Sequence, residues 1–308
     1  MPVALQYESV SKYYRSWWGR RTATALQEFS LSVQTGEIFG FLGPNGAGKS
    51  TAIHVALGFT RPNSGSGAML GHKFGHVSTR RRIGFLAENV ALYDRPAAAA
   101  IRFYGGLNGL SSQGLSDAVR EVLQAVELES EAQRKVGQFS RGMLQRMGLA
   151  QALVNDPELL ILDEPTSALD PAARVAVREL LLKAREAGKT IFLSSHLLSE
   201  VELICDRVAM VRQGRVVRTG RLIDLLEASG QIEIVCRNIP PTLFAAMSLD
   251  GSLCRLTLPK DQGRAAIEKI WEAGGEVVSV NPSRRSLEDV FLELTTPRDA
   301  GASRANFA

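Results

Sequence analysis

The chain has 308 residues, 45% of them hydrophobic and 22% charged, the composition of an ordinary globular protein with room for about two domains. Its 36 basic and 32 acidic residues leave a net charge of +4, too small and too scattered to indicate nucleic acid as a partner. Three widely spaced cysteines, Cys205, Cys236 and Cys254, argue against a disulfide framework or a zinc site and fit a reducing compartment.

The N-terminus lacks the basic-then-apolar pattern of a signal peptide, and no run approaches the ~18 apolar residues of a membrane span. Basic residues cluster only in RSWWGRR (15–21) and at Arg80, Arg81 and Arg82. Such clusters default to solvated faces. The Trp17–Trp18 pair among arginines suits a packed loop or, second, contact with a membrane surface.

In chain order, 3–42 predicts short strands and turns: VALQYESV alternates, and LSVQTGEIFGFL holds two apolar runs broken at QTGE. A helix starts within 50–58, and 97–153 is helix-rich, with LSDAVREVLQAVEL spaced to bury one face. LLILDEP is a short apolar strand ending in carboxylates. DPAARVAVRELLLKAREAG predicts a helix with Asp170 at the N-cap, Pro171 at N1 and Gly188 past its end. TIFLSSH is another buried strand, and RVAMVRQGRVVRTG a hairpin about Gln213–Gly214.

After about residue 228 a small α/β unit is expected, with QIEIVC, LCRLTL and EVVSV as strands and TLFAAM, GRAAIEKIWEAG and SLEDVFLEL as helices. The tail is expected to be disordered. The division is therefore 1–228, 229–296 and 297–308.

The chemistry starts at GPNGAGKST, residues 43–51, between the apolar run IFGFL and a helix. It fits G-x-x-x-x-G-K-[ST] in its strand–loop–helix setting. Gly43, Gly46 and Gly48 permit unusual backbone angles, with Pro44, Asn45 and Ala47 between them. Successive N–H groups then turn inward around phosphate oxygens, and the helix N-terminus adds a favourable dipole. Lys49 neutralises the β- and γ-phosphates; Ser50, followed by Thr51, can hold Mg²⁺. An incidental Gly-rich turn does not account for the whole pattern.

LLILDEP supplies what a phosphate loop needs next. Asp163 can help hold Mg²⁺, and Glu164 can orient and deprotonate an attacking water. Alone, two acids after a strand are more simply a cap or turn; beside the phosphate loop they are not. His196 ends the next strand, at the edge where α/β sheets place ligands, and can hydrogen-bond the γ-phosphate or the water.

Together with FSRGMLQRM (139–147) and SALD (167–170), these parts resemble the ATP-binding cassette family. FSRGM stands where that family writes LSGGQ, and Gln145–Arg146 match the QR that follows. The resemblance covers about 3–228 and rests on six ordered motifs. It implies an α/β P-loop NTPase fold with a RecA-like core, an antiparallel β subdomain and a helical subdomain. It implies ATP and Mg²⁺ as cofactors, His196 as the switch histidine, and Tyr14, or Tyr13 beside it, as the ring that stacks on adenine.

It further implies a head-to-tail pair of cassettes, most simply a homodimer, in which Ser140 and the amide of Gly142 complete the partner's site. Three positions depart from the pattern. Arg141 replaces a glycine and Met143 a glutamine in the signature, and Glu88 stands at the Q-loop glutamine, where a carboxylate can still ligate Mg²⁺. A single cassette without a membrane span, with RSLEDVFLEL at 285–294, is similar to the export ATPases that pair with ABC-2-type multi-span permeases. That places it at the cytoplasmic face of the membrane, with no nucleic acid expected. The alternative is a non-transport ATPase gating a soluble or nucleic-acid machine.

Overall fold

The computed structural model describes residues 2–15, 21–110, 112–226, 230–240, 243–244, 247–250, 253–282 and 286–295. The tail expected to be disordered, from 297, and the core of the basic-aromatic loop, 16–20, lie outside the described residues. The chain divides into two compact units, Met1–Leu222 and Ile223–Ala308, where the sequence reading set its boundary after 228.

The first unit opens with β1 (Val3–Arg15) and β2 (Arg21–Gln34), strands of 13 and 14 residues rather than the short strands expected. They pair antiparallel with several register shifts. Next come β3 (Ile38–Leu42), α1 (Lys49–Ala56), β4 (Ser64–Met69), β5 (His72–Lys73) and β6 (Ile83–Leu86). The order β2-β1-β4-β5 makes one four-stranded antiparallel sheet. Helices α2 (Ala97–Leu107), α3 (Ser112–Ala125) and α4 (Arg141–Leu153) pack on one another as a helical subdomain.

The chain then returns through β7 (Leu159–Asp163), α5 (Pro171–Glu186), β8 (Thr190–Ser195), α6 (Leu198–Ile204), β9 (Arg207–Arg212), β10 (Arg215–Arg221) and α7 (Leu222–Leu226). Asp170 caps α5 through Ala173 N–H, Pro171 opens it, and Gly188 beyond its end has φ 86°. A six-stranded sheet runs β10-β9-β3-β8-β7-β6, parallel except for the β9–β10 hairpin. Every residue of β3, β7 and β8 is buried, which explains their apolar runs IFGFL, LLIL and IFL: both faces of a parallel sheet are covered, and the polar residues Asp163, Ser194 and Ser195 fall at the strand ends.

Phe39, Phe41 and Phe192 anchor this core fully buried, each contributing about 1.5–3 kcal/mol of burial. Tyr7 bridges the two sheets' territory to α1: its ring packs edge-on to Phe29 and its hydroxyl donates to Ala52 O at 3.0 Å. Burial pushes the Tyr7 hydroxyl far above its ordinary range, so it keeps its proton to donate at neutral pH.

The second unit contains β11 (Gln231–Arg237), β12 (Met247–Asp250), β13 (Leu253–Pro259), α8 (Gly263–Glu272), β14 (Glu276–Pro282) and α9 (Leu287–Thr295). Its sheet, β12-β13-β11-β14, is antiparallel throughout. TLFAAM, expected to be a helix, is not one among its described residues: Leu243 and Phe244 are irregular and Met247 opens the edge strand β12. Ile234, Cys236, Leu256 and Ile270 form the small core.

Candidate active site

Three chain segments leave the C-terminal edges of β3, β7 and β8 and meet around a cavity of about 340 Å³. Pro44, Asn45, Gly46, Gly48, Lys49, Ser50 and Thr51 form one wall; Asp163, Glu164, Ser167 and His196 face them, with Glu88 and Ala25 at the sides. Ala25 falls in a β2 bulge, between the pairs Lys12–Leu26 and Tyr13–Thr24.

The loop shape is enforced by close approach. A Cβ on Gly48, at φ 108°, stands 2.3 Å from Ala25 O, and one on Gly43 stands 2.5 Å from Val211 O. Ala47 O accepts from Gly214 N–H at 2.8 Å, and Gly214 O accepts from Gln27 N–H at 2.9 Å, so the β9–β10 turn clasps the loop against β2. α1 begins without a side-chain cap and without an acidic residue in its first turn. Its N-terminal N–H groups and positive dipole end are thus open to an anion.

Lys49, 7% exposed, donates to Gly43 O at 2.7 Å and lies 3.7 Å from Glu164 Oε1. The other Glu164 oxygen is 2.7 Å from His196 Nδ1. Glu164 is buried and sits at φ 53°, a left-handed conformation costly for a residue with a side chain. Its N–H donates to the carbonyl and hydroxyl oxygens of Ser194, each at 3.2 Å. Its carbonyl accepts from Gln145 Nε2 at 3.1 Å and Ser167 Oγ at 3.2 Å.

Asp163, 4% exposed, accepts the Ser194 hydroxyl on Oδ1. Asp163, Glu88 and the Ser50 hydroxyl line the same space, yet no group of three or more His, Cys, Asp or Glu among the described residues forms a closed metal cage. That donor set fits Mg²⁺, which takes one or two carboxylates and completes its shell from phosphates and water.

Ser140 and Gly142 do not line this cavity. Ser140 is exposed, at the N-cap of α4, and its hydroxyl accepts from Met143 N–H at 3.2 Å. Gly142 meets no obstruction that forbids a side chain: a Cβ there stands 3.6 Å from Ala168 O and Leu169 Cδ2, ordinary contact. Tyr14, 43% exposed, lies two pairs beyond Leu26, outside the cavity wall, with Lys12 Nζ 5.2 Å from its ring centroid.

A family model described as ABC transporter matches residues 26–167, from β2 through the cavity's acidic wall. An ABC transporter ATP-binding protein of Nostoc sp. is 38% identical over 307 residues, covering 97% of this chain and 91% of that one. The chain belongs to the ABC transporter family. It is an ATP-binding subunit and an ATPase.

The chain is also 35% identical over 319 residues to the Nod factor export ATP-binding protein I of Burkholderia lata, covering 96% of this chain and 98% of that one. Among solved structures, a dimeric, post-hydrolysis ATP-binding cassette bound to ADP and Pi superposes with a TM-score of 0.66 at 27% identity. That match covers 71% of this chain and 98% of the other.

Around this ABC site, the sequence reading missed Ser194 and Ala25, named Ser167 only within the SALD motif, and gave Gln145 no contact. Ser194 had one usable signal, its place two residues before His196 on a strand ending at the site. The others become neighbours only through the fold.

Proposed function

We propose that this ATPase drives export through a separate multi-span permease of the ABC-2 type, as one of two copies that close head to tail on two ATP at the cytoplasmic face of the membrane. The observation that carries this reading is the separation of the signature residues from their own cavity. Ser140 and Gly142 head an exposed helix N-terminus, and nothing among the described residues requires a glycine at 142. A second copy's triphosphate supplies the missing occupant. The export direction is supported by relatives named for export. A separate permease is supported by the described residues, in which no helix is long and apolar enough to cross a membrane.

In this reading the triphosphate lies in the loop of residues 43–51, and Lys49 turns from Glu164 toward the β- and γ-phosphates. Tyr14 offers its ring to adenine. Ser50, Asp163 and Glu88 would hold Mg²⁺, which would supply positive charge against the phosphates. Glu164 accepts a proton from the attacking water as the γ-phosphoryl group leaves ADP, and His196 fixes that carboxylate. A permease helix docks near Glu88 and the region 97–130. Because ATP binds both halves, its loss reopens the dimer: a ligand that favours one of two states shifts the balance between them.

The test is Ser140→Arg together with recovery of the tagged chain from detergent-solubilised membranes. The expected outcome is normal ATP binding by the monomer, no dimer on gel filtration with ATP, and a stoichiometric multi-span protein in the recovered complex. Loss of monomer binding in the variant overturns the cross-dimer role, and co-purification with ribosomes or DNA alone overturns transport.

A further inference from the structure

The catalytic carboxylate is tied to the helix that heads toward the other subunit's nucleotide. Gln145 lies on the second turn of α4 and is 3% exposed, and its Nε2 donates to Glu164 O. One turn earlier on α4, Gly142 abuts Ala168 and Leu169 of the segment that follows Glu164. Helix α4 therefore holds Glu164 through the Gln145 amide and runs beside residues 168–169.

Glu164 needs such a hold: of the residues that line the cavity, it is the non-glycine one with a left-handed backbone. A left-handed backbone at a residue with a side chain persists only where its surroundings over-determine it. Here the N–H is fixed by Ser194, on β8, and the carbonyl by Gln145, on α4, with Ser167 adding a local turn. Ser194 and Ser167 belong to segments that line the site. Gln145 alone brings in an element whose N-terminus faces away from it.

We infer that Gln145 is a positioning residue that keeps the Glu164 carboxylate aimed at its own ATP, and that through it α4 reports to that carboxylate whether the partner's nucleotide is engaged at Ser140. The first half rests on the contact geometry; the second rests on the cross-dimer reading above. A shift of α4 on engaging a γ-phosphate moves the Gln145 amide, and with it the peptide that sets the direction of the Glu164 side chain. A displacement of about 1 Å at a reacting group is worth up to ~100-fold in rate.

The experiment compares Gln145→Leu with the parent chain in steady-state ATPase assays, alone and combined with Glu164→Gln. The expected result for Gln145→Leu is a kcat lowered by ~10- to 100-fold with KM and ATP affinity unchanged. It lowers the residual rate of Glu164→Gln no further, because there is then no base left to aim. Gln145→Glu keeps the volume and loses the donor; burial raises the pKa of the introduced carboxyl. Its kcat relative to the parent therefore recovers as pH falls and the carboxyl regains a proton to donate, a signature that mere loss of packing does not give.

Parental turnover by Gln145→Leu, a rise in KM at unchanged kcat, or an equal further loss in the Glu164→Gln background overturns the positioning role. Signalling between the sites is read separately, in pairs of one parental chain and one Ser140→Arg chain joined by a peptide linker, which keeps them together although only one of the two ATP interfaces is intact. There, turnover falls at the site whose own α4 carries the arginine as well as at the site that α4 should complete. A loss confined to the completed site overturns the signalling and leaves the positioning role standing. Full turnover by Glu164→Gln alone overturns the assignment of the base, and this inference with it.

Discussion

Lys49 and Glu164 form a buried ion pair across the site, Nζ to Oε1 at 3.7 Å, each side chain only 7% exposed. In the proposed mechanism the lysine that the phosphates need is thus held by the carboxylate that the water needs. Triphosphate would compete for the cation and free the base in the same movement. Replacing Lys49 by Ala removes both functions. We expect ATP affinity to fall ~10- to 100-fold, the loss of a charge-assisted hydrogen bond, measured by calorimetric titration.

Glu164→Gln keeps the shape of the acidic wall and removes its charge. Turnover is expected to fall ~10²- to 10⁴-fold, the usual contribution of a general base, with ATP binding retained. Gel filtration with ATP should show an accumulated dimer. Rapid hydrolysis by this variant contradicts the role given to Glu164.

Two glycines of the phosphate loop separate steric need from conformational preference. Gly46→Ala meets open space at φ 79° and is expected to cost about 1–2 kcal/mol, the strain of a left-handed residue with a side chain. Gly48→Ala also drives a methyl into Ala25 O at 2.3 Å, so the loop itself must move. Urea unfolding should rank Gly48→Ala well below Gly46→Ala, and only the former should abolish nucleotide binding.

Glu88 puts an exposed carboxylate on the edge of a site built for anions. Glu88→Gln should tighten metal-free ATP by up to about fivefold, the weight of one solvent-screened repulsion, when titrated in EDTA. With Mg²⁺ present that gain should shrink or reverse, because the same carboxylate then faces a cation.

Away from the site, Arg82 grips Glu158 with two hydrogen bonds of 2.6 and 2.7 Å. These bonds hold the Glu158 carboxyl below its usual range. A lowered native pKa stabilises the fold above the unfolded-state value of about 4.3, and that contribution is lost as pH falls through the native value. Arg82→Ala should therefore cost at most about 1 kcal/mol near pH 7, the worth of a solvent-exposed pair, and nothing in strong acid. Thermal melts at both pH values check it.

What the sequence disclosed was local. The loop of residues 43–51, the strand ending in Asp163 and Glu164, and the capped helix after Asp170 each carry their signal within about ten neighbouring residues. TLFAAM misled because Leu, Ala and Met favour helices, while Met247 is held as an edge strand by pairing with Leu256 across β13. The β1–β2 hairpin was read as short pieces because register shifts break its alternation. The Gln145–Glu164 bond was invisible: it joins a helix to a sheet edge, and only packing decides which of a helix's polar residues turns inward.

The clasp of Gly214 on Ala47 has a consequence in time. Every residue that touches phosphate in the loop is made before residue 52, yet the loop is closed by a turn made more than 160 residues later. A chain still emerging from the ribosome carries the complete phosphate-loop sequence without its brace. Nucleotide capture is therefore expected to await the last strands of the sheet.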